Sequence, residues 1–182
     1  FDADCNSIAT FSSLAQYRED STLNAPGVYI DSANANFAAD GMTDVLMSGT
    51  SQAAPMVTGV GALVQQAFPY LGGKQIGDVL LSTANNNITA VDGFFINMHD
   101  DAGQYKVNIF FTGKKTDTDK ALEVAYKKNG LFFYLGYGIK SLDELKKIEL
   151  DIFENVPVEA LFGQGVVDAG KAVRGLGAIN VR

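Results

Sequence analysis

Apolar positions are densest between residues 51 and 68, a stretch that holds no charged side chain. Ala53, Ala54, Val57, Val60, Gly61, Leu63, Val64 and Ala67 cover most of the circumference of a helix there, and a helix apolar all round is a buried one. Gly59 and Gly61 cost this helix about 1 kcal/mol each in propensity, so close backbone approach to neighbouring strands is the expected compensation. Phe68-Pro69-Tyr70-Leu71-Gly72-Gly73 stops it, and Ile76, Val79, Leu80 and Thr83 mark one face of a second helix over 74–84.

Upstream, 7–12 alternates apolar and polar as a strand does, 15–23 is a polar loop, and Ala25-Pro26-Gly27 is a turn. Val28-Tyr29-Ile30 reads as a short strand, 31–44 as a loop, and Val45-Leu46-Met47 as a short buried strand. Downstream, 94–98 and 105–111 read as strands around a turn at 100–103. A helix over 116–128 follows, with Thr116 or Asp117 as its cap. The aromatic run 131–137 reads as a strand, and Ser141 with Glu144 opens a further helix to about 152. Asp168 caps a short closing helix over 169–173.

Texture changes twice. Nearly all the lysines fall after residue 88, and Pro157 precedes a return to glycine and valine at 161–168. This predicts one domain made of 1–87 and 159–182, interrupted by an α+β insertion at 88–158. A length of 182 residues suits such an arrangement. The net charge of −7 argues against nucleic acid or an anionic membrane as the main partner. The single cysteine, Cys5, admits no intrachain disulfide. No apolar run is long enough to span a bilayer. The chain starts at Phe1, which reads as an internal or processed fragment.

The chemistry concentrates at Ser51. A helix start offers unpaired N–H groups and a positive dipole end, both of which stabilise negative charge beside an acyl-transfer nucleophile. The plainer reading of a serine at such a place is a helix cap. The extended motif Gly49-Thr50-Ser51-Gln52-Ala53-Ala54-Pro55-Met56-Val57-Thr58-Gly59 resembles the nucleophile motif of the subtilisin-like serine peptidases. Three further segments resemble that family in its own order: Ala9-Thr10-Phe11-Ser12-Ser13, Ala25-Pro26-Gly27-Val28, and Phe162-Gly163-Gln164-Gly165-Val166-Val167-Asp168-Ala169. The Gln-Ala-Ala-Pro-Met variant and the ending Gly170-Lys171-Ala172-Val173-Arg174-Gly175 are most like bacterial autotransporter-type subtilases.

The resemblance implies a partial three-layer α/β fold, with a mostly parallel sheet and a buried nucleophile helix. It implies a secreted or cell-surface serine endopeptidase acting through an acyl-enzyme on Ser51. The Ser51 N–H would be one oxyanion donor, with support from the Thr50 hydroxyl. Its substrate would be protein or peptide, and the chemistry requires no cofactor. Met56 stands where the family often has histidine, and Gln52 where it often has methionine. The family's order is Asp, His, Ser, and no histidine precedes Ser51. The catalytic Asp and His and the oxyanion Asn are therefore expected in an N-terminal part of the domain, and this chain alone is expected to be inactive. The alternative is a non-catalytic fragment that binds or regulates through the insertion.

The lone histidine, His99, would serve an α/β-hydrolase order Ser51, Asp92, His99, but Ala53 replaces the second glycine of a nucleophile elbow. A surface histidine is the plainer reading. Asp100-Asp101 and Asp117-Thr118-Asp119 lack the ligand spacing of a calcium loop, so structural calcium is unsupported and these carboxylates read as turn and cap residues. The aromatic run 131–137 reads as core of the insertion rather than a recognition surface.

Overall fold

A computed structural model of the chain describes residues 8–9, 11–35, 39, 41–88 and 92–175. The chain is α/β and divides into two compact units, 1–88 with 158–182, and 89–157.

In the first unit, β1 (Ile30–Ala33) and β2 (Asp44–Met47) form an antiparallel ribbon that pairs Ile30 with Met47 and Ala33 with Asp44. Next come α1 (Thr50–Ala67) and α2 (Gly73–Thr83). The Gln75 side chain accepts from the Gly72 N–H at 2.8 Å and so closes the first turn of α2. The unit's core forms where α1, α2 and the last helix converge. Val64, Val79, Leu80 and Ala172 are buried there, with Val57, Val60, Phe68 and Ile76 packed around them. The closing segment is threaded through the unit by backbone bonds. Val167 donates to Asn24, Gln164 donates to Thr22, and Asn85 and Val166 exchange bonds at 2.7 and 3.0 Å. Asn24 and Val166 form a parallel bridge. This threading needs Gly165: its φ is +112°, and a Cβ there would lie 2.2 Å from the Asn85 carbonyl oxygen.

In the second unit, β3 (Phe94–Asp101) and β4 (Gln104–Phe111) form a hairpin. Its turn residues Ala102 and Gly103 both have positive φ, as tight hairpins favour, and Asp100 Oδ1 accepts from the Gly103 N–H at 2.8 Å. Asp117 caps α3 (Thr118–Tyr137), accepting from the N–H groups of Asp119 and Lys120. After the single turn of α4 (Leu142–Leu145), β5 (Glu149–Phe153) adds to β4 in parallel. Residues alternate along the hairpin, so Ile96, Met98, Val107, Ile109 and Phe111 share one face. They pack on Ala121, Leu122, Ala125 and Phe133 of α3 and on Leu145 of α4. In the first unit, the chain continues with α5 (Val158–Phe162) and α6 (Ala169–Ala172), and Asp168 Oδ1 caps α6 by accepting from the Lys171 N–H at 2.9 Å.

Several expectations are corrected. Residues 131–137 form the second half of α3, not a strand. The helix is interrupted at Asn129, whose φ and ψ are −128° and 16°, and resumes at Gly130. Phe133 is fully buried while Leu131, Tyr134 and Leu135 are exposed, a helical period hidden within a continuous aromatic run. The helix expected from Ser141 to about 152 is one turn long. Ser141 does cap it, accepting from the Glu144 N–H, but Glu-Leu-Asp-Ile-Phe then alternates and pairs as β5. Where a strand was expected at 7–12, Ser12 N–H donates to Ala9 O at 2.9 Å, a local turn bond; residues 7 and 10 of that stretch, and Cys5, lie outside the described residues. The glycines of α1 do not approach strands: a Cβ at Gly59 would meet nothing within 4 Å, and one at Gly61 would sit 3.7 Å from Ile76 of α2. Nor is α1 buried all round. Val64 is its one fully buried residue, and Met56 and Leu63 are 40% and 47% exposed. Leu46 and Met47 of β2 are likewise exposed, by 61% and 51%.

Candidate active site

The site is built where β2 gives way to α1. Gly49 is the N-cap, Thr50 the first helical residue and Ser51 the second. The cap has no side chain to offer, so no side-chain acceptor meets the first N–H groups of the helix. Gln52 and Ala53 reach back to the Gly49 carbonyl at 3.1 and 3.3 Å. Among the described residues, the N–H groups of Thr50 and Ser51 have no acceptor. Both residues are exposed. Ser51 is thus a helix-start serine that does not cap its helix. Its hydroxyl and N–H remain available together, beside the positive end of an 18-residue helix.

Pro55 lies inside α1, four residues after Ser51. It has no N–H to give the Ser51 carbonyl, which loosens the first turn. The turn is held from outside instead. Gly49 donates to the Gly27 carbonyl at 2.7 Å, and the Ser48 hydroxyl accepts from the Tyr29 N–H at 2.8 Å. Gly27 is required by proximity: a Cβ there would lie 2.7 Å from the Gly49 carbonyl oxygen and 3.1 Å from the Ala53 Cβ. The Gln52 side chain folds back over the cap, and its Nε2 lies 3.9 Å from the Met47 sulfur.

A pocket of about 200 Å³ opens beside the helix start. Thr50, Ala53, Ala54 and Val57 wall it on one side, at the spacing of a single helix face, with Phe11, Ser12, Ala25 and Gly27 on the other. Ser51 is not among its walls. Successive helical residues point about 100° apart, so Thr50 faces the pocket and Ser51 an adjoining, open sector.

The other candidates belong to the second unit. His99, on β3 of the second unit, is exposed, and its Nδ1 lies 3.1 Å from the Asn108 amide nitrogen. Asp92 is ion-paired with Lys128. Acid and base of a hydrolase-type order are therefore not joined to each other. The carboxylates of Asp100 and Asp117 are engaged as turn and cap acceptors. Sequence reasoning missed Ser48 and Tyr29. Their contact has no signal in the sequence, because it depends on the strand register that pairs Ile30 with Met47.

No helix among the described residues is long and apolar enough to cross a membrane. The subtilase family model matches residues 2–138, which is three quarters of the chain. An extracellular serine protease of Serratia marcescens is 47% identical over 49 residues, covering 26% of this chain and 5% of that protein. The chain thus spans a small part of the length of that relative. Family match and α/β architecture agree: the chain belongs to the subtilase family of serine peptidases.

Proposed function

We propose that the chain is the nucleophile-bearing part of a secreted bacterial serine endopeptidase, in which Ser51 is acylated by the substrate carbonyl. The observation that carries this reading is the exposed Ser51 in the open first turn of α1, within a chain of the subtilase family. Attack by Ser51 Oγ on a peptide carbonyl creates an oxyanion, and the Ser51 N–H is one donor for it. The Thr50 hydroxyl, one position earlier, supports it. A serine hydroxyl alone is a poor nucleophile, and the members of a triad act as a unit. We therefore assign the catalytic Asp and His and the oxyanion Asn to an N-terminal part of the same domain, which is the first partner of this chain. Secretion is supported by the extracellular character of the Serratia relative.

The experiment compares peptide hydrolysis by the full-length polypeptide with that of its Ser51→Ala variant. Loss of about a million-fold in kcat is expected from removing a triad serine. Equal hydrolysis by the variant overturns the assignment and favours a binding or regulatory role.

A further inference from the structure

The two bonds that tie the turn to the helix start do not belong to one register. In the ribbon, Ile30 faces Met47. Beyond it, Gly49 bonds to Gly27. Between these contacts lie Val28 and Tyr29 on one side and Ser48 alone on the other, the two-against-one count of a β-bulge, placed just beyond the end of the β1–β2 ladder. Tyr29 adopts a φ of +52°, a left-handed conformation that an L-residue with a bulky side chain rarely takes. Its N–H has lost the regular ladder, and the Ser48 hydroxyl accepts it in place of a backbone carbonyl, at 2.8 Å.

The bulge has a consequence for Ser51. A one-residue change of register reverses which face of a strand each following residue presents. Without the extra residue, Gly49 would face Val28 rather than Gly27, and the Gly49 N–H to Gly27 O bond could not form in this register. That bond fixes the N-cap, and Ser51 follows two residues later. We infer that Ser48 is a positioning residue for Ser51: its hydroxyl closes the Val28-Tyr29 bulge, which sets the direction in which the nucleophile helix starts. The inference rests on the reading of Ser51 as the nucleophile. Ser48 does not touch the reacting atoms. It acts through the backbone of Tyr29, Gly27 and Gly49. Since Ser48 is exposed, truncating it leaves no buried polar group behind.

The test uses the full-length polypeptide and a fluorophosphonate, whose phosphorus is attacked by Ser51 Oγ as fluoride leaves. Labelling rates are normalised to the folded fraction, so that a loss of stability alone leaves them unchanged. Ser48→Ala is expected to label about fivefold more slowly, the scale of one neutral hydrogen bond. Ser48→Thr, which keeps the hydroxyl, restores the parent rate. Ser48→Ala combined with Tyr29→Gly also recovers it, because glycine holds the left-handed conformation without the bond. Hydrogen exchange at the Tyr29 amide is expected to quicken in Ser48→Ala and not in Ser48→Thr. A Ser48→Ala protein that labels at the parent rate overturns the positioning role. If the parent polypeptide takes no label at Ser51, the peptidase reading fails instead, and the positioning role with it; the Tyr29 exchange then decides the bulge by itself.

Discussion

Gly49 donates its N–H to the carbonyl of Gly27 at 2.7 Å, and this single backbone bond joins the Ala-Pro-Gly turn to the cap of the helix that carries Ser51. The two backbones approach so closely that Gly27 has no room for a side chain. Gly27→Ala must push the turn away from Gly49 and Ala53. A loss of about 1–3 kcal/mol, the cost of overpacking, is expected in urea unfolding of this chain. Unchanged stability would mean that the turn shifts freely and does not hold the helix start.

Gly59 is the opposite case. It lies mid-helix in α1 with open space where a Cβ would stand. Gly59→Ala removes a helix-interior glycine without creating a clash, and is expected to stabilise this chain by about 0.5–1 kcal/mol. Thermal unfolding measures it. A loss of stability would show that the position is already occupied.

The second unit depends on the inward face of the resumed half of α3. Phe133 is fully buried and stacks with Tyr126 at a centroid distance of 6.0 Å. Phe133→Ala should cost about 3–5 kcal/mol. Leu135 is 69% exposed, and Leu135→Ala should stay within about 0.5 kcal/mol of the parent. Equal effects at the two positions would contradict the helical assignment of 131–137, because a strand places 133 and 135 on the same face.

Helices with strong one-sided or continuous apolar patterns were legible: 51–68 against the observed Thr50–Ala67, and 74–84 against Gly73–Thr83. Caps were legible too, at Asp117, Ser141 and Asp168, because a short polar acceptor before an apolar run has few other roles. Residues 131–137 were not, since consecutive aromatics match strand propensity and the deciding factor was the packing of Phe133 against Tyr126 and the sheet. The end of α4 was missed because a cap announces where a helix starts and says nothing of its length. At the candidate site the glycine-bounded serine was readable as a motif. The bulge behind it was not, because Val28-Tyr29 reads as ordinary strand until its partner's register is known.

Acid sensitivity of α3 has a specific contribution. The Glu123 carboxylate accepts from Lys127 Nζ at 2.6 Å, and this hydrogen bond and charge hold its pKa below the usual glutamate value. A carboxylate with a depressed folded pKa stabilises the fold above its unfolded pKa, and this contribution is lost as pH falls through the lowered value. Glu123→Gln should therefore lower the Tm slightly near neutral pH and leave it unchanged in strong acid. The pair is exposed, so salt should shrink the difference. A difference that grows on acidification would reverse the assigned sign.

Position 52 predicts the response to oxidant. Gln52 follows Ser51, the proposed nucleophile, and cannot be oxidised as methionine is. Met47, 3.9 Å from Gln52, and Met56 are both exposed and are the sulfurs near the site that peroxide should reach. Peptide mapping of the peroxide-treated full-length polypeptide should show sulfoxide at these two positions and no modified residue at 52. Rapid inactivation with a modified residue 52 would refute the prediction.

The central claim is that Ser51 is a nucleophile whose base lies outside this chain. Fluorophosphonate labelling of two samples tests it most directly, the isolated chain and the full-length polypeptide, with the adduct located by mass spectrometry. The account predicts efficient labelling of Ser51 in the full-length polypeptide and essentially none in the isolated chain. Efficient labelling of the isolated chain, or an adduct at a residue other than Ser51, would contradict it.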